Sequence, residues 1–217
     1  MTDQQIFALI AAGVILLVGF PIHEFSHAFA ADRLGDRTAR WMGRLSLDPR
    51  RHFDPLGGLI LIVSAVGFGL PIGWAKPTPV NPTNLSGGHR GEAIVALAGP
   101  ASNLIMAAAA AISVRLVGAS PALQDVIVGS DVLEMVYRVA LFFIWINLAL
   151  FIFNLLPVPP LDGWTVLKGL VSPYNAYRLR QVEQYGIFLL LAVFLAGGRL
   201  IVPLAAGIFE LLTGRPL

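Results

Sequence analysis

The stretch VILLVGFPIHEFSHAFAADRLGD, residues 14–36, places ionisable side chains directly after a long apolar run. His23, Glu24 and His27 follow Phe20 while the surrounding residues are still apolar. An ionisable group inside a membrane-spanning segment costs at least ~2.5–3.5 kcal/mol on insertion scales, and such groups mark functional sites by default. This stretch therefore predicts a helix that carries a functional site within a bilayer.

The composition of the whole chain is typical of an integral membrane protein. Hydrophobic residues make up 56% of the 217 residues and charged residues only 13%, whereas soluble domains carry roughly 25% charged residues. The length suits one compact bundle, so we expect residues 1–217 to form a single integral-membrane domain. The net charge of +2 comes from loop arginines, which indicates orientation in a bilayer and not nucleic-acid binding. The chain has no cysteine, which excludes disulfides and thiolate metal sites.

Four segments are long and apolar enough to cross a bilayer, which takes about 20 residues. They cover residues 5–34, 92–118, 132–156 and 185–213. The last is interrupted at AGGRLIVP, so it predicts one broken helix or two short ones. The first lacks a basic leader and a small-residue cleavage site, so we interpret it as a retained helix and not a signal peptide. The predicted fold class is an all-α membrane protein, a polytopic helical bundle of about four to six transmembrane segments.

A fifth apolar segment, residues 56–73, is shorter and rich in glycine and β-branched residues. That composition favours a re-entrant segment or a β-hairpin near residues 56–80. Most of the basic residues fall in three loops, at 33–54, 74–90 and 163–183. All three can be cytoplasmic only if the fifth segment enters and leaves on the same side, which would place the N-terminus on the opposite side.

His23 and His27 are four residues apart, so one face of a helix presents both imidazoles, and a single Zn²⁺ can take a nitrogen from each. Glu24 lies about 100° around the helix, where it can reach a metal-activated water without being a ligand. This HExxH arrangement supplies two metal ligands and a general base for hydrolysis. A solvated charged face is incompatible with a helix in lipid, so the metal site is the favoured interpretation.

A catalytic zinc takes a third protein ligand and keeps one position open for water. The other two histidines, His52 and His89, fall in predicted loops. Asp162 is the stronger candidate, because in NLLPVPPLDGW, residues 154–164, it follows an apolar helix broken by prolines. Unwound backbone inside a membrane is tolerated only against protein or a water-filled cavity. Asp162 could instead cap an ordinary helix end. Because its helix runs toward the same side as the first helix, we expect Asp162 to meet the two histidines.

These segments resemble the site-2 protease family of intramembrane zinc metalloproteases, in particular its small prokaryotic members without a PDZ domain. HEFSHAFAADRLGD is similar to the family's HExxH helix, and NLLPVPPLDG is similar to its second motif. GRLSLDPRRHFDPLGG, GWAKPTPVNP and LAGPASN resemble its connecting segments. The resemblance thus covers most of the chain.

The resemblance implies one Zn²⁺ per chain and a set of three ligands, His23, His27 and Asp162. Glu24 would be the catalytic base, and Asn154 and Asn103 match family positions where a side chain would bind substrate or stabilise the oxyanion. The implied reaction is hydrolysis of peptide bonds within transmembrane segments of other membrane proteins, in regulated intramembrane proteolysis. The implied location is a prokaryotic cell membrane, with a multi-pass chain and the active site toward the cytoplasm.

Several alternatives stay open from the sequence. His52 is either a surface histidine at the lipid headgroups or a loop residue that folds over the metal site and gates it. An edge strand in the 56–80 segment could receive an extended substrate by β-augmentation. A metal transporter would need polar groups along a path to both faces, whereas the ionisable residues gather near one end. A catalytically inactive membrane scaffold need not keep Glu24 beside two intact ligands.

Overall fold

The computed structural model describes residues 2–68 and 72–216, and within these ranges the chain is helical, with no β-strand. Twelve α-helices occur in the described residues: α1 (Asp3–Val14), α2 (Phe20–Arg33), α3 (Thr38–Trp41), α4 (Pro49–His52), α5 (Pro55–Phe68), α6 (His89–Gly118), α7 (Pro121–Val128), α8 (Asp131–Leu155), α9 (Asp162–Leu170), α10 (Pro173–Leu179), α11 (Gly186–Ala196) and α12 (Gly198–Thr213).

Four helical stretches of the described residues are long and apolar enough to span a membrane, which confirms the all-α polytopic fold. They are Asp3–Arg33, His89–Gly118, Asp131–Leu155 and Pro173–Ala196. Large apolar side chains such as Leu17, Ile105 and Ile187 are exposed on the bundle surface. Apolar groups on this outer face suit a hydrocarbon solvent, so the chain is a multi-pass membrane protein.

The first span is one continuous helix in which α1 and α2 are joined by a π-helical turn, Ile15–Gly19. Thr2 begins it with a capping box, accepting a hydrogen bond from the Gln5 amide while the Gln5 side chain bonds back to Thr2. The π turn ends two residues before Pro21, which has no amide hydrogen to give to the preceding turn. One extra residue in this turn rotates everything after it around the helix, including His23 and His27.

The last predicted span, residues 185–213, forms two helices, α11 and α12, which meet at Gly197. The Gly197 amide donates to the Val193 carbonyl at the end of α11, and the Ile201 amide donates to the Gly197 carbonyl at the start of α12. A side chain at Gly197 would put its Cβ 2.3 Å from the Val193 oxygen. Pro203 removes a further backbone donor within α12.

Small residues bring the central helices together. Ala107 and Ala111 of α6 are fully or almost fully buried against α8 and α12. In lipid there is no hydrophobic drive between helices, so close approach of small-residue faces provides the attraction. The buried cluster comprises Ala107, Ala111, Val114, Ile144, Leu148, Ile152, Ala205 and Phe209.

The fifth apolar segment is re-entrant, but the β-hairpin alternative is wrong for the described residues, because Pro55–Phe68 is a helix and no strand follows it. The predicted hairpin also included residues 69–71, which lie outside the described residues. Beyond them the chain returns along α5: the Ile72 amide donates to Ser64 Oγ at 2.8 Å, and the Lys76 amide donates to the His52 carbonyl at 2.9 Å. A helix satisfies its own backbone bonds within lipid, whereas an isolated hairpin leaves two unpaired edges.

Asp36 fixes the returning chain to the loop after α2. Its buried carboxylate accepts hydrogen bonds from the amide of Thr38 at 3.1 Å, the amide of Asn81 at 2.6 Å and the side chain of Asn84 at 3.1 Å. Burial alone would raise the pKa of Asp36, but these donors hold it below its usual value. The segment 72–81, which we call the return segment, is therefore held against α2.

Candidate metal centre and cleft

Three side chains from two distant parts of the sequence converge at one point. His23 Nε2 and His27 Nε2 are 3.1 Å apart, and they lie 3.3 and 3.4 Å from Asp162 Oδ2. A tetrahedral zinc with bonds of ~2.0–2.1 Å has ligand atoms about 3.3 Å apart. The structure thus brings Asp162 to the two histidines, as expected. The distances between the three donor atoms are close to those between the ligands of a tetrahedral zinc ion.

Hydrogen bonds on the far side of each imidazole fix the rings. His27 Nδ1 lies 2.8 Å from the Val95 carbonyl, which can only accept, so the ring proton is on Nδ1. His23 Nδ1 lies 2.6 Å from Asn103 Oδ1, and Asn103 Nδ2 donates to Asn147 Oδ1 at 2.8 Å. Both Nε2 atoms therefore keep a free lone pair directed at the common point, the arrangement that metal-binding histidines show.

Gly99 lets α6 pack directly against the two imidazoles. A Cβ built on Gly99 would lie 2.2 Å from His27 Nε2, 2.5 Å from His27 Cε1 and 2.7 Å from His23 Nε2, so only a glycine permits this approach. Gly99 lies on α6, between the Val95 carbonyl and the Asn103 side chain that hold the rings. The two imidazole nitrogens and the carboxylate oxygen, together with the distances between them, fit a zinc ion bound by the three side chains.

Asp162 reaches the histidines because the chain reverses between α8 and α9. The Val158 and Leu161 amides close tight turns to the Leu156 and Val158 carbonyls, and Asp162 begins α9. The alternative that Asp162 caps the preceding helix is wrong, since its carboxylate is directed at the two imidazoles instead. Gly163 permits the reversal, because a Cβ there would lie 2.2 Å from the Leu155 carbonyl oxygen.

Glu24 lies beside the three convergent side chains and lines the same cleft. Its Oε2 accepts a hydrogen bond from the Thr78 amide at 2.7 Å, and its backbone carbonyl accepts one from Thr78 Oγ1 at 2.9 Å. The return segment thus fixes the Glu24 carboxylate from outside the helix. One carboxylate oxygen is engaged in this way, and Oε1 has no hydrogen-bond donor among the described residues.

The cleft has a volume of about 700 Å³ and is mainly apolar. Residues of α2, the return segment, α6, α8, α9 and α11 form its walls. Such a cleft, apolar with a few convergent polar groups, is typical of a binding site for an apolar chain. Its apolar walls include Phe20, Ile72, Trp74, Leu150, Phe153 and Phe194.

The remaining predicted site residues occupy different positions. Asn154 lines the cleft, with its Nδ2 donating to the Leu150 carbonyl at 3.0 Å. Asn103 also lines the cleft, but it is fully buried and both ends of its amide have protein partners, a geometry that supports orientation of His23, and its contact with substrate stays a prediction. His52 is 1% exposed, so the surface alternative is wrong. It is not among the cleft residues and bonds to the Ser46 carbonyl at 2.6 Å, a contact that gives the gating alternative no support.

Sequence reasoning missed four contributors to the site. Asn147 carried a usable signal, because a polar amide in the apolar run WINLAL needs a buried partner. Gly99 lies in LAGPASN and Thr78 lies in GWAKPTPVNP, two segments that resemble the family's connecting segments without indicating a role for either residue. The Val95 carbonyl carries no sequence signal at all, since any residue supplies the same group.

Comparison with known proteins places the chain among zinc metalloproteases. The profile of peptidase family M50 matches residues 10–197. A Bacillus subtilis (strain 168) protein named "Putative zinc metalloprotease YwhC" is 38% identical over 181 residues, which cover 83% of this chain and 78% of that protein. A Mycobacterium tuberculosis (strain ATCC 25618 / H37Rv) protein named "Putative zinc metalloprotease Rip2" is 33% identical over 194 residues, covering 88% of this chain and 68% of that protein. No solved structure matches.

Proposed function

Because this chain belongs to peptidase family M50, we propose that it hydrolyses peptide bonds within the transmembrane segments of other membrane proteins, using one zinc ion. The observation that carries the proposal is the convergence of Asp162 with His23 and His27 beside Glu24, the last three residues lying on a helix long and apolar enough to span a membrane. The apolar cleft around these groups supports a transmembrane segment as the substrate. A soluble peptidase would have no need of such a setting.

The zinc would be held by His23 Nε2, His27 Nε2 and one Asp162 oxygen, with the fourth position open to the cleft. Bound there, it would supply a Lewis acid that polarises the scissile carbonyl and lowers the pKa of a water molecule. Asn103 and the Val95 carbonyl keep the imidazoles in the orientation and tautomer that binding needs.

Glu24 is the proposed general base. The Thr78 amide holds Oε2, and Oε1 is free to accept a proton from water in the cleft. Glu24 would then donate that proton to the leaving amine, so the same carboxylate serves both halves of the hydrolysis. Asn154, at the cleft wall, is the residue we propose to contact the substrate backbone near the scissile bond.

We propose that the site faces the cytoplasm of a prokaryotic cell, since the basic loops lie at the same end of the bundle as the metal centre. Single-cysteine variants at Asp3, Asn84 and Asp125 test this, because the chain has no cysteine of its own. A membrane-impermeant maleimide added to intact cells should label positions 3 and 125, and position 84 only after permeabilisation. Labelling of position 84 together with position 3 in intact cells would contradict the orientation.

The function itself is tested with purified protein in liposomes that contain a model transmembrane substrate. Chelation should abolish cleavage, because water alone is too weak a nucleophile, and one equivalent of Zn²⁺ should restore it. Mg²⁺, a hard cation that prefers six oxygen ligands, is the control that should not restore cleavage. Zinc uptake into sealed vesicles without cleavage would favour a transporter, and the absence of both would favour an inactive scaffold.

A further inference from the structure

Glu92 is a carboxylate of the cleft that takes no part in the metal centre. It lies in the first turn of α6, lines the cleft beside Val95 and Ala96, and is 19% exposed at its side chain. The His89 ring, 3.4 Å away and 41% exposed, is its one ion-pair partner among the described residues. A partly buried carboxylate that faces an apolar cleft needs a reason to be there.

The charge of the cleft gives that reason. Three carboxylates line it, those of Glu24, Asp162 and Glu92, and the lining residues include no lysine or arginine. A divalent cation held by neutral imidazoles is balanced by the charges of Asp162 and Glu24. Glu92 therefore leaves the loaded cleft with a net negative charge, which a cation on the substrate would complement.

The position of Glu92 along α6 sets where that cation would sit. Glu92 and Gly99 are seven residues apart, two helical turns, so they share one face of the helix. Gly99 packs against the metal-binding nitrogens, which puts Glu92 about 10 Å from the metal centre toward the end that carries the basic loops. An extended substrate rises ~3.3 Å per residue, so this distance corresponds to about three residues from the scissile bond.

Resting on the proposed function, we infer that Glu92 determines specificity by receiving a lysine or arginine about three residues from the scissile bond, on the side of the basic loops. Transmembrane segments characteristically carry such residues at their cytoplasmic ends. The substrate class is then a membrane protein whose basic flank begins about three residues from the cleaved bond. A substrate with an acidic residue at that position would be repelled by the same carboxylate.

The test uses the full-length, zinc-loaded protein in liposomes and three model substrates that differ only in Lys, Gln or Glu at this position. For the wild type we expect kcat/KM to fall from Lys to Gln to Glu, by about fivefold at each step for a partly buried ion pair. E92Q should remove the preference, and E92K should reverse it in favour of the Glu substrate. Moving the lysine three residues further from the bond should also remove it.

Different results would overturn the proposed function and the inferred role of Glu92. E210Q, a matched change on α12 at the opposite end of the bundle, should keep the wild-type order of the three substrates. If the wild type cleaves none of them, the proposed function fails. If it cleaves all three equally, or if E92Q keeps the preference for lysine, the function stands and the inference about Glu92 is overturned. A reversed order in E92K cannot come from misfolding.

Discussion

Replacing Glu24 with glutamine should abolish cleavage of a transmembrane substrate while zinc stays bound. Glutamine keeps the shape of the side chain and an oxygen that can accept the Thr78 amide hydrogen, so the return segment should stay in place. The amide cannot take a proton from water, and the loss of a general base typically costs about 10²- to 10⁴-fold in rate. Zinc should remain, since Glu24 is not one of the three convergent ligands.

The measurement combines cleavage in liposomes with zinc content by atomic absorption on the same preparation. E134Q, in the first turn of α8 and exposed at the opposite end of the bundle, is the matched control and should retain both. Comparison of membrane proteomes from cells with wild type and E24Q would then reveal the natural substrates. An E24Q cleavage rate within tenfold of the wild-type rate would show that Glu24 is not the general base. Loss of zinc from E24Q would indicate that Glu24 is a metal ligand instead.

Spacing within single helices is the part of the site that the sequence could predict. His23 and His27 share a helix face because 3.6 residues make one turn, and that holds wherever the helix lies. Asp162 could be linked to them from topology alone, because its helix had to run toward the same side of the membrane. The convergence of these three side chains could therefore be predicted from local periodicity and the direction of the spans.

Contacts made by the backbone could not be predicted in this way. The contact of His27 with the Val95 carbonyl and the close approach of Gly99 to the imidazoles both depend on how α6 packs against α2. Neither contact involves a side chain of α6, so residue types alone do not indicate it. Thr78 meets Glu24 only because Asp36 and Asn81 fix the return segment at that place. These are long-range contacts, and they fix the positions of the proposed metal ligands and of the proposed base.

The 55–68 segment shows where the composition misled the prediction. Glycine and β-branched residues lower helix propensity by only ~1 kcal/mol or less each, whereas an unsatisfied backbone group in lipid costs several kcal/mol. The second effect is larger, so the segment forms a helix. Its glycines serve packing instead: a Cβ at Gly57 would lie 2.2 Å from the Trp74 carbonyl oxygen of the returning chain.

Replacing Gly99 with alanine should prevent zinc binding without unfolding the protein. The added methyl group would lie 2.2 Å from His27 Nε2 and 2.5 Å from His27 Cε1, which no relaxed contact allows. The ring cannot turn away freely, because its Nδ1 is bonded to the Val95 carbonyl of the same helix. We expect the affinity for zinc to fall by about 100-fold or more, because loss of a hydrogen-bond partner of a metal ligand alone typically costs about 10- to 100-fold. Cleavage should be lost together with the zinc.

Stability distinguishes this effect from general damage. Alanine is favoured over glycine in a helix interior by ~1 kcal/mol, and overpacking against the fixed ring costs about 1–3 kcal/mol, so metal-free G99A should still unfold cooperatively and melt only a few degrees below the metal-free wild type. G118A is the matched control on the same helix, because a Cβ there meets nothing within 4 Å, and it should bind zinc and cleave substrate normally. The readouts are zinc stoichiometry by atomic absorption and the melting temperature of both metal-free proteins. One tightly bound zinc per chain in G99A would show that the ion does not lie between the two histidines and this face of α6.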